Sequence, residues 1–160
     1  MKRQLILLAG ILMSITIFAQ DSKLKVSPDE IKIPINTQIF ISTKLNGSKI
    51  GDFKLLDQSK IKKPIDMMEA FDKIEKKDIV SNEMEFKFCH ADFMGSKIVV
   101  LTTVHHLLKS MTFKAKIKIK GRNKHIETSI VTKHPNVFSI EQWQDDIESI
   151  ILYDFEIVEE

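Results

Sequence analysis

Lys114, Lys116, Lys118 and Lys120 occupy every second position of a run that extends from Met111 to Thr132. Four ammonium groups about 7 Å apart along one strand face could hold an anion or an acidic protein surface. The same spacing is the wet side of a half-buried strand whose other side is Phe113, Ala115, Ile117 and Ile119. A lysine row also discourages edge-to-edge aggregation. The expectation is a solvated strand face, with docking of an acidic partner as its functional version. Trp143 is the second candidate contact, because tryptophan is enriched in binding hot spots. Its spacing to Ile140 and Ile147 also suits a core position. Lys114, Lys116, Lys118, Lys120 and Trp143 are therefore the candidate binding residues.

The ladder needs counter-charge. If Arg122 and Asn123 centre the turn, Lys118 faces Glu127, Lys120 faces His125 and Ile119 faces Ile126. A second source is the C-terminus: positions 141–160 hold eight acids and no lysine or arginine. Asp154 and Glu156 alternate with Tyr153, Phe155 and Ile157, so a last strand lying beside the ladder would neutralise it.

Other chemistry finds little support. His90, His105, His106, His125 and His134 form no HExxH pattern, and Cys89 has no second cysteine with which to make paired CxxC spacing. No GxSxG elbow or phosphate-cradling glycine loop is present. No catalytic residue, metal site or cofactor is assigned. The ladder lacks interleaved aromatics for base stacking, so nucleic acid is not an expected partner. The lone Cys89 should be a buried thiol, and no intramolecular disulfide can form.

The elements that must position these residues read as strands. Lys25-Val26 and Glu30 to Ile35 form an opening strand interrupted by Pro28 and Pro34, which places it at a sheet edge. Gln38 to Lys44 and Lys49 to Leu56 form a hairpin about Asn46-Gly47. Pro64 to Lys77 carries Met67, Met68, Phe71 and Ile74 at helical spacing and predicts an inserted helix. Glu83 to Cys89 alternates, Gly95-Ser96 turns, and Lys97 to Val104 is apolar on both faces. Ser139 and Gln142 have capping-box spacing and predict a short helix over Ile140 to Asp146. Ile150 to Ile157 closes the domain. The fold class expected is mainly β, an antiparallel β-sandwich of immunoglobulin-like architecture with that inserted helix and a helical turn before the last strand. The alternative is α+β, with one helix across an open antiparallel sheet.

The ends bound the setting. Met1 to Gln4 is a short basic region, Leu5 to Phe18 an apolar run, and Ala19 a small residue for cleavage. Residues 1–19 read as a signal peptide and 20–160 as a single domain. No transmembrane segment is expected after cleavage. The formal charge is +2, and Lys2 and Arg3 of the signal supply that excess. The mature chain is near neutral, with no charge-based reason to expect nucleic acid or acidic lipid. These observations lead to an exported, periplasmic or extracellular, non-catalytic binding module whose partner is an envelope or secreted protein. The alternatives are a small-ligand or metal-binding periplasmic protein and a hydrolase with an unrecognised site.

Overall fold

The computed structural model describes residues 23–68 and 80–159. In chain order their strands are β1 (Lys25–Val26), β2 (Glu30–Pro34), β3 (Thr37–Asn46), β4 (Lys49–Lys60), β5 (Ile65–Asp66), β6 (Glu83–Phe93), β7 (Ser96–His105), β8 (Met111–Ile119), β9 (Ile126–Thr128), β10 (Ser139–Trp143) and β11 (Ile147–Ile157). All belong to one hydrogen-bonded sheet, in the order β1-β2-β11-β4-β3-β6-β7-β10. Off that path, β8 pairs with β11 and β9, and β5 pairs with β6. Every pairing is antiparallel except β5 with β6. The mainly β, antiparallel expectation holds.

One element differs from expectation. The capping-box spacing of Ser139 and Gln142 does not start a helix: the segment is β10, paired with β7 from Ser139↔Thr103 to Trp143↔Val99. Ser139 Oγ donates to the Thr103 carbonyl across the ladder at 3.4 Å instead of capping. The free edge of β7 offers more hydrogen bonds than one isolated helical turn, and tertiary pairing overrides the local signal. Of the helix expected over 64–77, Met67 and Met68 are helical, and 69–79 lie outside the described residues. Its first residues form strand β5, which pairs with Ala91 and Asp92. The signal peptide expected at 1–19 also lies outside the described residues. Among those described, no helix is long and apolar enough to cross a membrane.

Smaller shifts have local causes. Pro28 and Pro34 do not confine the whole opening segment to an edge, because β2 lies between β1 and β11. Pro34 is tolerated as the last residue of β2. The β3–β4 turn falls on Gly47 and Ser48, one residue later than expected, with Asn46↔Lys49 closing it. The β6–β7 turn uses Met94 and Gly95, both at positive φ.

The core explains why these segments are strands. Met84, Phe86 and Phe88 of β6 and Val99 and Leu101 of β7 face the larger core cluster. Cys89, Ala91, Ile98 and Val100 face a second cluster, closed by Met67. The period of two sends alternate residues to opposite sides, and here both sides are apolar. In the larger cluster Phe155 meets Phe53 at 4.8 Å and Phe113 at 4.9 Å, while Phe86 meets Phe113 at 5.9 Å between ring centres. Each such side chain, fully buried, contributes about 1.5–3 kcal/mol.

Candidate functional site

The ladder lies on β8, between β11 and β9. Phe113, Ala115 and Ile117 are buried, and their lysine neighbours turn outward as expected. The register against β9 differs by two residues. Ile117 faces Ile126, and Lys116 faces Glu127. The cause is the turn. Gly121 takes φ +78, and the Arg122 amide donates to the Ile119 carbonyl at 3.0 Å, so the chain reverses earlier than Arg122-Asn123. A two-residue slip keeps every side chain on its face, so the apolar match survives it.

β11 and the residue just before it supply most of the counter-charge. Lys114 Nζ lies 2.7 Å from Asp154, Lys118 Nζ 3.6 Å from Glu148 and Lys120 Nζ 3.2 Å from Asp146. Lys116 Nζ sits 4.6 Å above the Tyr153 ring and 4.0 Å from Glu127. Asp154 owes its position to a bulge: the β8–β11 register shifts between Tyr153 and Glu156, and Asp154 takes φ +54. There it accepts from Lys114 and from Lys49, the latter at 2.9 Å. Hydrogen bonds from Lys114 and Lys49 hold its carboxyl down at about 2. Both lysines are pushed above their ordinary value, Lys49 by Glu156 and Asp154 and Lys114 by Asp154.

Trp143, the other candidate contact, is half-buried. Its Nε1 donates to Thr128 Oγ1 at 2.9 Å, and its ring stands 6.4 Å from Phe88. It clamps β10 to β9 over the edge of the core. The ladder and Trp143 thus occupy separate places and do not build one site.

Two clefts open at opposite ends of β2 and β11. One, of about 520 Å³, collects Asp29, Glu30, Asp52 and Asp154 around Lys49. The other, of about 840 Å³, collects Lys60, Lys118, Lys120 and Arg122 around Asp146 and Glu148. The basic groove is where the ladder ends. Sequence reasoning placed Lys118 and Lys120 in a row but did not bring Lys60 and Arg122 to them, since no spacing pattern links β4 to the β8 turn.

A third cluster was also invisible in the sequence. Lys133 is 1% exposed, and its Nζ donates to Glu141 Oε1 at 2.5 Å. The Val131 amide donates to the same oxygen at 3.0 Å. His105 is fully buried, and its ring Nε2 lies 3.1 Å from the Lys133 carbonyl. That contact requires Nε2–H, which leaves Nδ1 as a bare lone pair with no partner among the described residues. Burial pushes the His105 pKa below its ordinary value, against the raising effect of the Lys133 carbonyl. Ser110 Oγ lies 2.9 Å from His134 Nδ1, but among the described residues no acid orients that imidazole as a catalytic base would need. Cys89 is fully buried, and desolvation raises its thiol to about 11, which disfavours the thiolate at neutral pH. Among the described residues, no three His, Cys, Asp or Glu side chains converge as metal ligands would.

No protein-family model, curated protein or solved structure matches the chain.

Proposed function

We propose that the protein is an exported, non-catalytic docking module that receives an extended segment of an envelope or secreted partner along the outer edge of β4. The observation that carries this reading is the second half of β4. From Lys54 to Lys60 every residue is exposed on both faces. Its inner side pairs with β3, and among the described residues no strand pairs with its outer side. The register shift that leaves Leu56 without an opposite residue puts Leu55 and Leu56 side by side in solvent, 41% and 52% exposed. An unpaired edge with apolar side chains is a template for strand addition.

Charge selects the occupant. The edge and the turn after it carry Lys54, Lys60, Lys62 and Lys63 against Asp57. A second copy paired antiparallel about Asp57 would set Lys54 against Lys60 and Asp57 against itself, which disfavours self-association. An acidic partner segment with alternating apolar residues fits both features. The ladder on β8 contributes less to this reading, because its charge is already met by acids.

Two further parts belong to the same proposal. Residues 1–19 act as the export signal, and the mature domain works in the periplasm or outside the cell. The sheet folds on itself as a two-layer sandwich, β9-β8-β11-β2-β1 over β4-β3-β6-β7-β10. The Phe86–Phe113 and Phe53–Phe155 contacts between those layers support this.

The test immobilises the mature protein, exposes it to envelope and culture extracts, and follows amide exchange on the captured complex. The expected result is protection at 54–60 and loss of capture for Leu55→Lys with Leu56→Lys, with folding intact. Capture that persists in this variant, or protection elsewhere only, overturns the edge as the docking surface.

A further inference from the structure

We infer that the basic groove at the end of β8 is a binding site for a doubly charged oxyanion of the phosphate type. It is independent of the β4 edge reading, although Lys60 belongs to both surfaces.

Lys60, Lys118, Lys120 and Arg122 face Asp146 and Glu148 across about 840 Å³. Two cations are therefore in excess. The excess falls on two particular residues, because Lys118 and Lys120 have carboxylates at 3.6 and 3.2 Å. Lys60 and Arg122 have no ion-pair partner among the described residues. Arg122 brings a planar fork of donors that matches an oxyanion in a way a lysine cannot.

Backbone geometry supplies neutral donors. Asn36 sits at φ +59 and uses its Oδ1 to accept from the His90 amide at 3.2 Å. Its NH₂ is left without a partner among the described residues, on the groove wall. Gly121 lets the turn reverse at positive φ and so places Arg122 over the groove rather than along the β8 ladder. Pro34, Ile35, Ile61 and Ile147 give the groove an apolar lining, which lowers the local dielectric and strengthens each charged contact.

The ladder itself is already neutralised. Along Lys114 to Lys120 each ammonium already meets an acid or a ring, so an anion arriving there must displace a partner. In the groove it displaces only water from Lys60 and Arg122.

The experiment is a thermal-shift and calorimetric titration of the mature protein with inorganic phosphate, against sodium chloride at matched ionic strength. The expected result is saturable stabilisation by phosphate that chloride does not reproduce. Arg122→Gln should weaken it by about tenfold or more, the size expected for removing a charge-assisted contact. Lys54→Gln, on the β4 edge but outside the groove, should leave it unchanged. Stabilisation that follows ionic strength alone, or an Arg122→Gln variant that binds phosphate as the native protein does, overturns the site. Retained capture of a protein partner by Arg122→Gln would separate this site from the β4 edge.

Discussion

Lys133 and Lys114 each donate to a carboxylate, at 2.5 Å and 2.7 Å, yet the two contacts do different work. The Lys133 side chain is 1% exposed and its partner Glu141 14%; for Lys114 and Asp154 the figures are 66% and 34%. In the first pair, water is excluded and each charge depends on the other. In the second, water competes at both ends. Near-equal distances therefore do not imply equal energies, and setting decides which lysines the fold requires.

The largest effect should follow from breaking the buried pair. Lys133→Ala leaves Glu141 charged beside the core, with only the Val131 amide as donor, and should cost about 3–5 kcal/mol. Urea denaturation followed by Trp143 fluorescence reads this directly. Replacing both partners by Lys133→Met with Glu141→Leu should recover most of the loss, because apolar groups of similar volume remove the desolvation penalty too. If Lys133→Ala costs no more than Lys114→Ala, burial does not separate the pairs and the comparison breaks.

His105 extends the buried side of the comparison to pH. Its folded-state pKa lies below the ordinary 6.5, because burial disfavours the imidazolium and the nearby His106 and His134 add to that. A group with a depressed folded pKa binds its proton more readily when unfolded. Its contribution is therefore fully present above about pH 6.5 and is lost as pH falls from there towards the folded value. The stability curve should slope by up to about 1.4 kcal/mol per pH unit in that window. His105→Gln, which keeps a donor for the Lys133 carbonyl, should flatten it. An unchanged slope in that variant would assign the acid sensitivity to another group.

The legibility of the two pairs differs for the same reason. The ladder could be read because period-two alternation is local: Lys114 to Lys120 and the acids of β11 each lie on one strand, and the acidic C-terminus pointed to the lysines. The outward face, the buried Phe113, Ala115 and Ile117, and the β11 neighbour were accessible that way. Lys133 has no periodic context, since its burial follows from the Met111↔Lys133 bridge between distant stretches. The β10 segment shows the converse. A local capping signal at Ser139 and Gln142 was real but weaker than the open edge of β7. The basic groove was illegible because β4 and the β8 turn meet only through the sheet order. The strand content came from composition and alternation, while the order needed long-range pairing.

Asp154 gives a smaller effect, on the acid limb. Lys114 and Lys49 hold its carboxyl at about 2, below the ordinary 3.8. Its contribution is present above about pH 3.8 and is lost as pH falls towards 2. Solvent screening at a partly exposed site keeps the stability change small, so carboxyl chemical shifts are the better readout. The midpoint should rise towards the ordinary value in Lys114→Ala, and rise further when Lys49→Ala is added. A midpoint that ignores both substitutions would mean that the bulge, not the lysines, sets the ionisation.

The smallest effect should come from the most conspicuous residues. Lys114→Ala and Lys120→Ala each remove an ammonium that is about two-thirds exposed, and each should leave the urea midpoint almost unmoved. Lys118 is the internal control. Its side chain is 13% exposed, and Glu148 lies at 3.6 Å, so Lys118→Ala should fall between Lys120→Ala and Lys133→Ala. Salt separates the classes further: about 1 M sodium chloride should erase the differences at Lys114 and Lys120 and leave the Lys133 loss largely intact. An ordering of Lys133, Lys118, then Lys120 and Lys114 would make exposure, not distance, the variable that ranks this protein's ion pairs. An ordering by distance would put Lys114 beside Lys133 and restore the ladder as part of what holds the fold together.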